Sequence, residues 1–225
     1  MIKIKAWSTL PEKPLSLRQG ELHLWLINLD TPLENSEGYL SGDEQNRADA
    51  MLNSSGSRRF TSARAYMRRI LGNYLTTDAA TIRFQYGPIG KPEITWPETD
   101  LCFNLSHSGP LALLALTRNA EIGIDIEPLK PRSSLLAIAR KLFGEETRGS
   151  LAALPESQRT EHFFQLWTTL EARVKCKGNG VFSPSDNTIP AVNFEPESGW
   201  IGAVAISRGV PIASNWRTYR MTSAE

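Results

Sequence analysis

The hexapeptide Ile122-Gly123-Ile124-Asp125-Ile126-Glu127 carries the strongest chemical signal of the chain. Read as a β-strand, it sends Ile122, Ile124 and Ile126 to one face and Asp125 and Glu127 to the other. Three β-branched residues belong in a core, which fixes where the two carboxylates point. Two such carboxylates stand roughly 6–7 Å apart, given a rise of about 3.3 Å per residue. At an effective dielectric of about 20 they repel by roughly 2–3 kcal/mol. A hard divalent cation between them turns that repulsion into attraction. An edge strand with a wet acidic face is the plainer alternative.

A second acidic group has the right company. Trp167, Glu171 and Lys175 are spaced four apart, so they share one face of a helix. Glu171 ahead of Lys175 is the favoured order for a surface ion pair. The indole on the same face argues instead for a covered face, and then Glu171 is a third oxygen ligand for a cation held by Asp125 and Glu127. Ser106-His107-Ser108-Gly109, after an apolar strand, gathers hydroxyls, an imidazole and a glycine amide, groups suited to an anionic oxygen. It has no nucleophile-elbow context, which weakens a serine-hydrolase reading. Gly90-Lys91-Pro92 reads as a turn that presents one ammonium at a loop edge.

The elements that must position these groups come in mixed order. Residues 1–20 have little periodicity and read as an N-terminal extension. Residues 21–30 alternate in part and read as the first strand of the body. From Ser41 to about Tyr74 the pattern is helical and basic, with Ser41 and Glu44 as a capping box and an interruption at 53–57. A helix from Phe60 to Leu75 follows. Short strands are expected at 82–86, 101–104, 111–117 and 122–127, with helices at 133–143 and 161–177. Gly178 and Gly180 terminate the last of these. Strand-like segments close the chain. The absence of strict strand–helix alternation argues for an α+β fold.

Composition narrows the function classes. The 225 residues are 40% apolar and 22% charged with a net charge of +1, an ordinary globular profile without a strong nucleic-acid or membrane field. The arginines at 58, 59, 64, 68 and 69 fall on several helix faces, so no nucleic-acid partner is expected. No apolar run is long enough for a membrane span, and no signal-peptide h-region follows Met1. Cys102 and Cys176 lack metal-ligand spacing and are expected as reduced thiols in a cytoplasm.

Taken together, the series resembles the Sfp-type 4′-phosphopantetheinyl transferases. The matching elements are Leu40-Ser41 through Arg47, Arg64, Gly90-Lys91-Pro92, Phe103 to Gly109, Gly123 to Glu127, Phe143 to Glu146, Phe164 to Lys175 and Gly178 to Gly180, over about residues 21–182. The resemblance implies a monomer of two pseudo-symmetric α+β halves, 21–118 and 119–225, with coenzyme A bound between them. It implies Asp125, Glu127 and Glu171 as ligands of Mg²⁺. It assigns Arg47, Arg64, Lys91, Ser106, His107 and Lys175 to coenzyme A, with Glu171, Lys175 and His107 as the catalytic set and Glu171 as the base. The acceptor it implies is a serine of an apo acyl or peptidyl carrier protein. Arg173 departs mildly, standing where an aromatic residue is common, and the larger departure is Leu170, which stands where the family usually has lysine before the helix glutamate. That departure motivates a non-catalytic coenzyme A- or carrier-binding alternative. A metal-dependent phosphohydrolase on the same carboxylates is a third reading.

Overall fold

The computed structural model describes residues 1–9, 15–88, 90–178 and 188–221. Asn179 and Gly180 lie outside the described residues. The architecture is α+β, built on two four-stranded sheets. One sheet runs β10 (Trp216–Met221), β2 (Leu22–Asn28), β6 (Leu111–Arg118), β5 (Leu101–Ser108). The other runs β1 (Ile2–Lys3), β8 (Ala191–Glu195), β9 (Trp200–Ile206), β7 (Ile122–Pro128). A strand, a long helix and a hairpin occur in this order twice. The first set is β2, α3 (Ser54–Leu75), β5–β6 and the second is β7, α5 (Glu156–Lys177), β8–β9.

Alternation along the strands explains the layers. In β2, Leu22, Leu24 and Leu26 enter a core shared with Ile122, Ile124 and Ile126, between the sheets. Trp25 and Ile27 point the opposite way, into a second core with Tyr66, Met67, Ile70 and Leu71 of α3. Both faces of β2 are therefore buried, which is why its apolar run is nearly continuous. On the far side of the second sheet, Ala172 and Cys176 of α5 pack on Ala203 and Ala205 of β9. The order of layers is helix, sheet, sheet, helix.

Several boundaries differ from the sequence expectation. The N-terminal stretch, expected as an extension, joins the body: β1 pairs in parallel with β8, Ser8 bridges to Tyr219, and Leu17 is buried. The C-terminal strand β10 in turn completes the sheet that contains β2. Cutting the chain after residue 118 therefore does not separate the two sheets. Asn53 does not interrupt a helix so much as start one, since its side chain caps α3 at Ser55 and Gly56. The Ser41–Glu44 capping box opens α2 (Gly42–Asp49) as expected. Residues 92–96 form an unanticipated strand, β4 (Pro92–Trp96), hairpinned with β3 (Arg83–Tyr86). The span α4 (Leu135–Ala152) is two helices meeting at Gly144, whose φ 86 and ψ 176 are not helical, so the first ends at residue 143 as expected and the continuation to Ala152 is the unanticipated part. Gly178 ends α5 in the left-handed conformation, as expected.

A buried histidine makes stability depend on pH. His23 Nδ1 lies 2.7 Å from the Tyr74 hydroxyl, and burial pushes its pKa down to about 4 from 6.5. The unfolded chain thus binds the proton more readily, and stability is lost as pH falls from 6.5 to about 4. The full loss is about 3 kcal/mol. Urea titrations across that range are expected to show the slope in the wild-type protein and not in His23→Gln, and equal slopes would contradict this origin.

Candidate active site

The site forms where the edge strand β7 meets β5, with α5 packed on β7 and β9 and reaching β5 through Lys175. Its foundation is Gly123. A Cβ there would stand 2.0 Å from the Ala172 carbonyl and 2.3 Å from the Cys176 amide. Only a residue without a side chain lets the backbone of α5 come this close to β7. That approach brings Glu171 and Lys175 to the strand that carries Asp125.

Strand β5 meets the acidic strand with three side chains two residues apart. The Asn104 side-chain carbonyl accepts from the Ile124 amide at 2.9 Å. Ser106 Oγ donates to Asp125 Oδ1 at 2.9 Å, and Ser108 Oγ donates to Glu127 Oε2 at 2.9 Å. The period of two that aligns the carboxylates on β7 thus also aligns their donors on β5. The wet-edge alternative does not hold at Asp125, which is buried.

Lys175 lies among these groups. Its Nζ is 2.6 Å from Asp125 Oδ1, 3.0 Å from Ser106 Oγ and 4.0 Å from Glu171 Oε2. The two carboxylate oxygens are therefore no further apart than 2.6 and 4.0 Å laid end to end. Burial raises the Glu171 pKa, Lys175 opposes that rise, and the charges of Asp125 and Glu127 add to it. All three expected acidic residues thus share one electrostatic neighbourhood. They do not form a ready metal cage: among the described residues, no three His, Cys, Asp or Glu side chains stand together as a metal-binding group. The donor set nonetheless suits Mg²⁺, which takes hard oxygens and uses few protein carboxylates. Asp125 Oδ2 supports this fit directly, being a buried carboxylate oxygen with no hydrogen-bond partner.

Beside the carboxylates opens a cavity of about 270 Å³ lined by Arg47, Phe60, Arg64, Lys91, His107 and Lys175 among others. It gathers every residue assigned to coenzyme A from sequence except Ser106. Larger hollows exist elsewhere on the surface, but they do not reach the carboxylates. The guanidinium carbons of Arg47 and Arg64 each lie 5.4 Å from the Phe60 ring centroid, so one aromatic ring holds both cations in place. Arg64 also points its Nε to within 3.8 Å of Glu44 Oε1. The other oxygen of that buried carboxylate accepts from Arg68 at 2.6 Å. The capping glutamate of α2 thereby fixes the basic wall of the cavity.

His107 borders the cavity from β5. Desolvation lowers its pKa first, followed by the cations of Lys175, Arg59 and Arg64. A neutral imidazole among cations gains a proton when an anion enters. Coenzyme A is accordingly expected to bind more tightly as pH falls towards and below 6.5, the ordinary value from which His107 is lowered. The KM–pH profile of His107→Gln should lose that part of the trend; an unchanged profile would rule out imidazole–anion contact.

Lys91 corrects an expectation. It is no exposed loop ammonium: it is buried, and its Nζ is 2.8 Å from Glu121 Oε2 and 3.3 Å from the Cys176 carbonyl. It lines the cavity while tying the 90–92 turn to β7 and the end of α5. Leu170 is buried as well, so position 170 contributes packing where the family pattern has a cation. Gly123, Asn104, Glu121 and Phe60 take part in this geometry without a role assigned from sequence, and Ser108, expected to offer its hydroxyl to an anionic oxygen, donates it to Glu127.

The structure thus sets a basic cleft beside a buried aspartate and two half-buried glutamates. The comparisons name the class. A sequence profile described as the 4′-phosphopantetheinyl transferase superfamily matches residues 121–217. The chain is 39% identical over 193 residues to the 4′-phosphopantetheinyl transferase HetI of Nostoc sp., across 83% of this chain and 81% of that protein. It is 32% identical to the putative 4′-phosphopantetheinyl transferase slr0495 of Synechocystis sp., across 78% and 74%. To the 4′-phosphopantetheinyl transferase Sfp of Bacillus subtilis it is 29% identical, across 74% and 75%. The chain belongs to the 4′-phosphopantetheinyl transferase family and is an enzyme of that class.

Proposed function

We propose that the protein moves the 4′-phosphopantetheine group of coenzyme A onto a serine of an acyl or peptidyl carrier protein, in an Mg²⁺-dependent reaction that releases 3′,5′-ADP. It acts as a monomer in the cytoplasm. The observation that carries this reading is the shared wall of two sites: Lys175 lines the basic cavity and also touches Asp125. No helix among the described residues is long and apolar enough to cross a membrane.

Arg47, Arg64, His107 and Lys175 hold the phosphates, and Asp125, Glu127 and Glu171 hold the cation. Bound there, Mg²⁺ would supply charge neutralisation to the phosphate oxygens. The carrier serine oxygen forms a bond to the β-phosphorus while the bond from that phosphorus to the bridging oxygen breaks, and 3′,5′-ADP leaves with the electron pair. The serine proton goes to Glu171, directly or through water; burial raises its pKa, while a bound cation would lower it. Positioning and electrostatics supply most of the rate.

Incubation with coenzyme A, Mg²⁺ and a panel of apo carriers, followed by mass spectrometry, tests the reading. A gain of one phosphopantetheine on a carrier is expected. No gain on any carrier would favour the coenzyme A-binding alternative that Leu170 motivates. Free phosphopantetheine formed with no carrier present would favour a phosphohydrolase.

A further inference from the structure

Lys175 stands where two demands on one positive charge meet. Its ammonium contacts Asp125 Oδ1, Ser106 Oγ and Glu171 Oε2, and it also faces the cavity assigned to the cofactor phosphates. A divalent ion bound to the same carboxylate at about 2.1 Å would bring two cations against each other across Asp125. Lys175 holds Oδ1 while Oδ2 is buried without a partner, so the two cations would repel across one carboxylate rather than share an oxygen.

We propose that Lys175 is an internal counter-ion whose charge on Asp125 holds down the affinity of that carboxylate for a divalent cation, and that the incoming phosphate draws it away. The inference rests on the functional reading above and adds an order to it. In the free protein the ammonium neutralises the carboxylates and holds cation affinity down. Arrival of a phosphate gives the ammonium a new partner in the cavity and releases Asp125. The side chain suits this exchange. It is a point charge on a four-carbon stem with freely rotating donors, and a quarter of its surface is open to solvent. Linkage then requires reciprocity: whatever the phosphate does for cation binding, the cation does for phosphate binding. The arrangement disfavours filling the metal site before the cofactor is present.

Titration of the full-length protein with Mn²⁺ alone, followed by the electron paramagnetic resonance of the free ion, tests this without any turnover. Lys175→Met is expected to bind Mn²⁺ at least about tenfold more tightly than wild type, a coupling of ordinary size. Lys175→Gln should do the same, and Lys175→Arg, which keeps the charge, should resemble wild type. Thermal melts establish that the variants are folded. Mn²⁺ affinity in both Lys175→Met and Lys175→Gln that equals or falls below the wild-type value would overturn the proposal. Asp125→Ala separates this failure from failure of the functional reading. If it removes Mn²⁺ binding while the lysine variants gain nothing, only the counter-ion role is lost. If it leaves binding unchanged, the metal assignment itself is wrong and the proposal falls with it.

Discussion

Asp125→Ala is expected to lower kcat/KM for carrier modification by about a thousandfold or more while the protein remains folded. The loss combines a missing cation ligand with a misplaced ammonium, and each effect is worth several kcal/mol at a site of developing phosphate charge. Asp125 Oδ1 accepts from both Lys175 and Ser106, and its other oxygen is buried without a partner. Truncation therefore removes the one acidic group that contacts both neighbours. Breaking a buried ion pair can destabilise by about 3–5 kcal/mol, but Lys175 is partly exposed and has Glu171 at 4.0 Å to turn to. Loss of the Asp125 charge also relieves part of the pressure that raises the Glu171 pKa. A modest fall in melting temperature with a collapse in turnover is the expected pattern. Turnover near the wild-type value would remove Asp125 from the site.

Much of this site was legible in sequence because it depends on local periodicity. A strand period of two placed Asp125 and Glu127 together, and a helical period of four placed Glu171 with Lys175. The capping box at Ser41 was legible for the same reason: its partners are three residues apart. What remained hidden depends on pairings distant along the chain. Lys91 finds Glu121 thirty positions on, and no local pattern distinguishes that half-buried ion pair from an exposed turn. Strand β1 has two residues and no pattern of its own; its place comes from β8, near the other end of the chain. The β3–β4 hairpin was missed because Pro92 at the head of β4 reads as a breaker, although proline is tolerated as the first residue of a strand.

Leu170 shows where a family pattern and a physical reading complement each other. The helical wheel puts residue 170 about 100° from 171, which left its environment open. In the structure it is buried, so the chain has exchanged a charge for packing while Lys175, one turn further on, still reaches Asp125. The carboxylate face of α5 does not depend on the residue at 170.

Gly123→Ala is expected to damage both stability and catalysis, the latter by about a hundredfold, although the new methyl group touches no reacting atom. The atoms it would meet, the Ala172 carbonyl at 2.0 Å and the Cys176 amide at 2.3 Å, are helix backbone and have no rotamer to adopt. To restore an ordinary separation of about 3.5 Å, α5 must move off β7 by roughly 1.5 Å, carrying Glu171 and Lys175 with it. Overpacking of this kind destabilises by about 1–3 kcal/mol, and a misplacement of about 1 Å at a reacting centre can cost about a hundredfold in rate. Gly202→Ala is the matched control, because its methyl group would press on the Phe194 ring, 2.8 Å away, in the core between the sheets. That variant should lose stability and keep most of its kcat. Equal loss of kcat in the two variants would mean that the effect is general destabilisation. Wild-type melting and turnover in Gly123→Ala would show that the docking of α5 on β7 does not set the positions of Glu171 and Lys175.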